Sequence, residues 1–188
     1  DLRAELKKLY DLNSRISEEA NNLTKALKSD SKKQGNWGEV VLERVLERSG
    51  LVKGQEYDTQ VRATTDDGRV IQPDVIVKLP ENKHIIIDSK VSLVAYEAFT
   101  SEEMEEKREV HLKQHVESIK NHVKSLSEKN YQNASLFDTP DFVLLFMPIE
   151  SAFSIAIQSD ISLFNYAWEK KIVIVSPRLS TARSSHGL

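Results

Sequence analysis

Three chargeable residues lie in otherwise apolar, strand-like runs between Gln72 and Lys90, in the stretch QPDVIVKLPENKHIIIDSK. The runs VIVKL and HIIIDSK are rich in β-branched residues, and the residues between them, 80–83, are turn formers. The stretch therefore predicts a β-hairpin. A hairpin that carries Asp74, Asp88 and Lys90 on apolar strands constrains the rest of the fold, because buried charge must be paired or neutralised.

The alternation of side chains along a strand places Asp88 and Lys90 on one face, and folding of the hairpin brings Asp74 towards Asp88. Two close carboxylates repel each other unless a proton or a cation neutralises them, and their oxygen atoms suit Mg²⁺ or Mn²⁺. A neighbouring lysine is suited to orienting a water or stabilising charge on a phosphoryl oxygen. The pattern indicates a metal site. The alternative is an ion pair between Asp88 and Lys90, with Asp74 in a turn after Pro73.

Composition bounds the class of protein. The 188 residues are 39% hydrophobic, have a net charge of −3 and include no cysteine. These values indicate one domain with a real core and no disulfide framework. No apolar run approaches the roughly 18 residues of a membrane helix and no signal-peptide pattern is present, so we expect a cytoplasmic chain without membrane contact. The acidic balance provides no global basic surface, so any DNA contact is expected to be local or metal-assisted.

The N-terminal segment carries apolar residues seven positions apart, at Leu2, Leu9, Ile16 and Leu23. This spacing predicts a charged helix that ends a coiled coil and joins copies of the chain into a homo-oligomer. The alternative is a helix that packs on its own domain.

A polar stretch, SDSKKQGNWG from Ser29 to Gly38, predicts a break between this helix and the domain that follows. We therefore divide the chain into an N-terminal helix at 1–30, an α/β domain at 31–177 and a polar tail at 178–188 that we expect to be poorly ordered.

A helical pattern follows the break, from Trp37 to Ser49, with Gly50 as its C-terminal cap. Glu39 lies at the margin of the apolar face of this helix, a position from which its side chain would reach the edge of a sheet. It joins the site only if the fold brings it to Asp74 and Asp88. The alternative is a glutamate in the first turn that interacts with the helix macrodipole.

The remaining segments predict helices and strands in an order typical of an α/β domain with a mixed β-sheet flanked by helices. They are a strand at 57–62, a turn at 65–68, a helix from Ser101 to about Lys129, a buried strand at 141–147, helices at 150–158 and 161–169, and a strand at 171–175. His111, His115 and His122 on the long helix come without a further ligand pattern. We interpret them as a polar or phosphate-facing side of the helix rather than a zinc site.

Several sequence blocks follow one another in order over most of the chain. They are QGNWGE (34–39), VLERVLERSGL (41–51), QPDVIVKLP (72–80), IIIDSKVSLVAYEAF (85–99), HVESIKNHVKSLSEKNY (115–131) and FMPIESAF (146–153). Together these blocks resemble the bacterial DNA recombination protein RmuC family. The Pro73-Asp74 pair followed by Asp88-Ser89-Lys90 also resembles the PD-(D/E)XK nuclease superfamily.

This resemblance implies a restriction-endonuclease-like core and a magnesium-dependent DNA nuclease that limits rearrangement at inverted repeats. The core motif of the family falls on Asp74, Asp88 and Lys90, and the helical acid of the superfamily falls on Glu39. The resemblance thus implies four catalytic residues. Glu39, Asp74 and Asp88 would hold one or two Mg²⁺ (or Mn²⁺) ions, and Lys90 would lie beside the attacking water.

Two features depart from the family pattern. Relatives resemble one another in a long N-terminal coiled coil, often after a membrane anchor, whereas residues 1–28 look like a remnant of it, so we expect a fragment. An apolar helix is also expected after Pro177, where RLSTARSSHGL is polar, and an uncovered sheet face would promote self-association. The rival function is a non-catalytic DNA-binding or scaffolding module that oligomerises through its N-terminal helix.

Overall fold

The computed structural model describes residues 30–89, 93–134 and 142–177, together with residues 3, 4 and 7, whose backbone is helical. The predicted coiled-coil seam, Lys90 and the polar tail lie outside the described residues. The helices in the described ranges are α1 (Ser31–Arg48), α2 (Val94–Ser101), α3 (Glu105–Glu128), α4 (Glu150–Ser159) and α5 (Leu163–Glu169). The strands are β1 (Tyr57–Thr59), β2 (Ala63–Thr64), β3 (Val70–Ile71), β4 (Val75–Lys78), β5 (His84–Ser89), β6 (Val143–Phe146) and β7 (Ile172–Val175).

Five of these strands form one mixed sheet in the order β1-β4-β5-β6-β7. Strands β1, β4 and β5 form an antiparallel meander, whereas β5, β6 and β7 run parallel. Strands β2 and β3 form a separate hairpin between β1 and β4. The predicted α/β class, the hairpin of β4 and β5, and the parallel pairing at the C-terminal end are confirmed. The parallel strands need crossovers, and helices α2 to α5 provide them.

Both faces of the sheet are covered near its centre, because neighbouring residues of β5 point to opposite sides. Ile86 is fully buried in a core that includes Val123 of α3. Ile87 packs in a second core with Leu42 and Leu46 of α1. Strand β5, which carries Asp88, is therefore held between α3 and α1.

Helix α1 begins earlier than the sequence predicts, because most of the presumed polar break is helical. Its N-cap is Asp30, whose side chain accepts a hydrogen bond from the backbone N–H of Lys33 at 3.0 Å. An aspartate cap satisfies an otherwise unpaired N–H of the first turn, so the polar residues after it enter the helix. Lys32 and Lys33 are exposed there. The prediction of a break between Ser29 and Gly38 is wrong from Ser31 onward.

His115 departs from the predicted polar side of the long helix. Its exposed fraction is 2%, and its Nε2 donates to the backbone carbonyl of Ala152 at 2.8 Å. The ring centroid of Tyr96 lies 5.6 Å away. Burial lowers the pKa of His115, so the ring is held neutral. His115 therefore fastens α3 to α4 rather than facing a phosphate.

An apolar groove of about 700 Å³ lies on the α1 side of β6 and β7. Its lining includes Leu46 of α1, Leu144 and Val173 of the sheet, and Trp168 of α5, whose exposed fraction is 61%. Apolar surface is thus present on this side of the sheet, and the expected covering of the sheet by a helix after Pro177 stays a prediction, because that segment lies outside the described residues. None of the helices in the described ranges has both the length and the apolar run that crossing a membrane requires.

Candidate functional site

Asp74 and Asp88 lie opposite each other at the open end of the β4–β5 hairpin. The ladder pairs Val75 with Ile87, and extending this register by one residue sets Asp74 against Asp88. Directly opposed residues of antiparallel strands project from the same face, so the two carboxyl groups meet. The exposed fraction of Asp88 is only 8%. The structure brings together the two acids that the sequence analysis placed on this hairpin.

The backbone fixes the position of the Asp74 carboxyl group. Its Oδ2 accepts a hydrogen bond from the backbone N–H of Ser89 at 2.8 Å. Burial, together with the negative charge of Asp88, raises the pKa of Asp74 to about 8. Two carboxylates in this position therefore share one proton near neutral pH unless a cation replaces it.

Glu39 approaches Asp74 from α1. Both residues line a cleft of about 210 Å³, which places the Glu39 side chain beside Asp74. Burial raises the pKa of Glu39, and the charge of Asp88 acts in the same direction. The predicted role of Glu39 requires that it lie near Asp74 and Asp88, and the structure places it next to Asp74. Three carboxyl groups thus follow one another from α1 to β5.

Gln60 is a residue of this site that sequence reasoning missed. Its Nε2 lies 3.4 Å from Oδ1 of Asp74, and its backbone N–H donates to the Asp74 carbonyl at 3.1 Å. Its Oε1 accepts a hydrogen bond from Nε2 of Gln72 at 2.9 Å. Gln60 has a φ of 55°, in the left-handed region that glutamine rarely adopts. The left-handed backbone conformation distinguishes Gln60, and this conformation cannot be read from the sequence.

Lys129 and Tyr131 contact Asp88 from the end of α3 and were also missed. Lys129 Nζ and the Tyr131 hydroxyl each donate to Asp88 Oδ2 at 3.1 Å. The chain turns between them at Asn130, whose φ of 50° lies in the left-handed region. Burial, followed by the negative charge of Asp88, raises the pKa of Tyr131, so its hydroxyl keeps the proton that it donates. The signal available in sequence was the segment SEKNY, in which neither residue stands out from a helix end.

Lys90 follows β5 directly but lies outside the described residues, so its position relative to Asp88 stays a prediction. The roles of Glu39, Asp74, Asp88 and Lys90 in catalysis, and of the three acids as metal ligands, stay predictions as well. Within the described part of the chain, no three histidine, aspartate or glutamate side chains form a compact set of metal ligands.

The donor set nevertheless suits a small, hard divalent cation. Mg²⁺ is usually held by one or two carboxylates, several waters and the phosphate of a substrate, so it does not require a closed cage of three side chains. The carboxyl groups of half-buried Asp74 and buried Asp88 supply oxygen donors. Burial, and after it the negative charge of Asp88, raises the pKa of Asp74. A divalent cation beside the two carboxyl groups would favour their ionised form.

Comparison with known proteins identifies related sequences along nearly the whole chain. The model of the RmuC family matches residues 1–182. The chain is 53% identical over 176 residues to the "DNA recombination protein RmuC homolog" of Pseudomonas aeruginosa, covering 94% of this chain and 39% of that protein. It is 50% identical over 173 residues to the Vibrio cholerae homologue, covering 92% of this chain and 34% of that protein.

A third relative is the "DNA recombination protein RmuC" of Escherichia coli strain K12. The identity is 47% over 176 residues, which cover 94% of this chain and 37% of the E. coli protein. The chain therefore spans little more than a third of the length of these curated relatives.

Proposed function

Since this chain belongs to the RmuC family, we propose that it carries the catalytic core of a Mg²⁺-dependent deoxyribonuclease of the PD-(D/E)XK type that acts in DNA recombination. The observation that carries the proposal is the opposed pair of acids, half-buried Asp74 and buried Asp88, with Glu39 beside Asp74. The relatives named for DNA recombination support the process. The acids support the chemistry, and the finer role in limiting rearrangement at inverted repeats rests on the resemblance to the family.

The reaction is hydrolysis of a phosphodiester bond. The oxygen of a water attacks the phosphorus atom, the bond from phosphorus to the 3′ oxygen breaks, and the leaving oxygen takes up a proton. A divalent cation, when bound, would supply polarisation of the phosphate, a lower pKa of the attacking water and stabilisation of charge on the leaving oxygen. Asp74 and Asp88 would hold that cation, with Glu39 adding a third oxygen donor. Lys90 would orient the attacking water from the position after β5.

The backbone of the hairpin has a defined part in this chemistry. The Ser89 N–H holds Asp74 in place, and the Tyr131 hydroxyl holds Asp88. The acids therefore cannot relieve their repulsion by turning away, and the site is preorganised for a cation. A purely structural module has no need to keep like charges together at this energetic cost, which is why we favour the enzyme over a DNA-binding scaffold.

The test is cleavage of labelled single-stranded, duplex and hairpin DNA in the presence of Mg²⁺ or Mn²⁺. The wild type is compared with Asp88→Asn, which keeps the size of the side chain, and with Lys90→Ala, which removes the side chain beyond Cβ together with its charge. Asp58→Asn is the matched control, because Asp58 lies on β1 in an ion pair with Lys78 at 2.7 Å. We expect metal-dependent cleavage by the wild type and the control, and loss of about 100-fold or more in the two site variants.

The rival function has a distinct outcome in the same experiment. A scaffold would bind the DNA substrates equally well in all four proteins and cleave none of them with either metal. That result would refute the nuclease. Cleavage that survives in Asp88→Asn and Lys90→Ala would instead indicate a contaminating enzyme, and would equally remove the support for this site.

A further inference from the structure

Among the described residues, Lys129 supplies a cationic side chain that forms an ion pair with Asp88. Its Nζ lies 3.1 Å from Asp88 Oδ2 and 3.3 Å from the Tyr131 hydroxyl, and 5.6 Å from the centre of the Tyr131 ring. Lys129 Nζ, the Tyr131 hydroxyl and Asp88 Oδ2 are therefore each within hydrogen-bond distance of the other two. Neither the family match nor the names of the relatives assigns a role to this lysine.

The burial of the two partners is unequal, and this difference is informative. The Asp88 side chain is 12% exposed, whereas the Lys129 side chain is 49% exposed. Asp88 lies within β5, whereas Lys129 directly follows α3 and reaches Asp88 through its long, flexible side chain. Lys129 is therefore the partner that is able to leave, while Asp88 stays.

The ion pair also occupies an atom that a metal would need. Oδ2 of Asp88 accepts from both Lys129 and Tyr131. A carboxylate oxygen that already faces an ammonium group presents less negative charge to a second cation, so the lysine and a metal compete for Asp88.

We propose that Lys129 is an internal counter-cation of this site: it neutralises Asp88 while no metal is bound, and it is released towards a DNA phosphate when a divalent cation takes its place. The inference rests on the proposed function, because it assumes that Asp88 binds the cation. Tyr131 is the positioning residue of the arrangement, since its buried hydroxyl keeps Asp88 oriented after the lysine has moved.

The released ammonium group remains at the edge of the site, half exposed and without its carboxylate. A phosphate oxygen is the anion that a DNA substrate would offer there, and lysine binds phosphate as a mobile point charge. Binding of metal and binding of DNA then strengthen each other, because the metal frees the lysine that contacts the substrate. The chain thereby obtains a local phosphate contact without an overall basic surface.

The test is Mn²⁺ binding to the full chain without DNA, measured from the loss of the electron paramagnetic resonance signal of free Mn²⁺. The proteins are the wild type, Lys129→Met, Lys129→Arg and the control Lys120→Met. Lys120 lies on the same helix and forms an ion pair with Asp160 at 2.9 Å. We expect Lys129→Met to bind Mn²⁺ about three- to fivefold more tightly than the wild type, because the competing charge is gone.

The conservative and control variants separate charge from packing. Lys129→Arg keeps the charge and Lys120→Met lies outside the site, so both should bind Mn²⁺ as the wild type does. Equal or weaker binding by Lys129→Met would overturn the inference, because a lysine that only supports Asp88 would lower the affinity when removed. Absence of Mn²⁺ binding in the wild type would overturn the metal site itself, and is thus distinguishable from failure of the inference.

A second measurement tests the release towards DNA. The affinity for a labelled hairpin DNA is measured by fluorescence anisotropy at low salt, with and without Ca²⁺, and the DNA is checked afterwards for integrity. We expect Ca²⁺ to strengthen DNA binding by the wild type and by Lys120→Met by a larger factor than by Lys129→Met. An equal effect of Ca²⁺ on all three proteins would refute the contact between Lys129 and the phosphate.

Discussion

The side chain of Asp74 accepts a hydrogen bond from the backbone N–H of Ser89 at 2.8 Å. This bond ties the residue before β4 to the last residue of β5, so the Asp74 carboxyl group is part of the hairpin itself. Because the neighbouring Asp88 is held by Lys129 and Tyr131, neither acid is free to move away from the other. The site thus stores electrostatic repulsion that should be measurable as a loss of stability.

We expect Asp74→Asn to raise the melting temperature of the metal-free protein. The pKa of Asp74 is raised from its usual value near 3.8 to about 8 by burial and by the charge of Asp88. A carboxyl group whose pKa is raised by folding makes its full contribution to stability below its pKa in the unfolded chain. This contribution is lost as the pH rises towards 8, the pKa in the folded protein. The advantage of Asp74→Asn should therefore be larger at pH 9 than at pH 6, as measured by calorimetry.

Asp58→Asn is the control for this comparison. Asp58 forms an ion pair with Lys78 at 2.7 Å, so its removal relieves no repulsion and should not raise the melting temperature. Mg²⁺ should narrow the gap between the wild type and Asp74→Asn, because it stabilises only the protein with both acids. A lower melting temperature for Asp74→Asn at both pH values would contradict the stored repulsion.

Tyr131→Phe tests how far the buried hydroxyl supports Asp88. The variant keeps the ring but removes the donor to Asp88 Oδ2, which lies 3.1 Å from the hydroxyl. We expect the free energy of unfolding to fall by about 1–3 kcal/mol, since hydrogen bonds to charged groups are the stronger class. Urea denaturation without metal provides the measurement.

Tyr96→Phe is the matched comparison for Tyr131→Phe. The Tyr96 hydroxyl is hydrogen-bonded to the Ser151 hydroxyl at 2.6 Å, and both tyrosines are at most 2% exposed. Loss of this neutral bond should reduce stability less than loss of the bond to Asp88. Equal effects would indicate that Asp88 gains little from Tyr131.

The sequence was sufficient for the hairpin and for the opposition of its two acids. β-Branched runs around a turn predict paired strands, and the alternation of side chains then places Asp74 and Asp88 on one face. The sequence was insufficient for Lys129 and Tyr131, which lie 41 and 43 residues from Asp88 along the chain. Only the docking of α3 on the sheet brings them there, and no local pattern encodes that contact.

The two errors in the helices have a common physical origin. Polar residues predict loops or exposed helix faces, but in both cases a hydrogen bond to a specific backbone group determines whether the residue is helical or buried. Asp30 caps α1 through the Lys33 N–H and draws a polar stretch into the helix. His115 is buried because its Nε2–H finds the Ala152 carbonyl, a partner that lies 37 residues away.

His115 also predicts a pH dependence of stability. Burial lowers the pKa of the ring below its usual value of about 6.5, so the unfolded chain binds a proton more readily than the folded one. Stability is then complete above about pH 6.5 and falls as the pH decreases, by at most about 1.4 kcal/mol per unit. His115→Gln retains an N–H donor without the titration, so its loss of stability between pH 7.5 and 5.5 should be smaller in urea denaturation.

His111→Gln is the control for this titration, because His111 lies on the same helix with its side chain 28% exposed. It should lose stability on acidification as the wild type does. If His115→Gln lost as much stability on acidification as the wild type, a group other than His115 would be responsible for the pH dependence.

The heptad spacing in the N-terminal segment makes a prediction that is independent of the site. If Leu9 and Ile16 form the seam of a coiled coil, the double substitution Leu9→Glu and Ile16→Glu should convert the homo-oligomer to a monomer, because like charges replace the apolar contacts. Size-exclusion chromatography with light scattering measures the mass. The control is Glu18→Gln, because residue 18 lies outside the seam positions of the heptad spacing. An oligomer that survives the substitution would assign self-association to another surface, of which the apolar groove beside Trp168 is the largest candidate described.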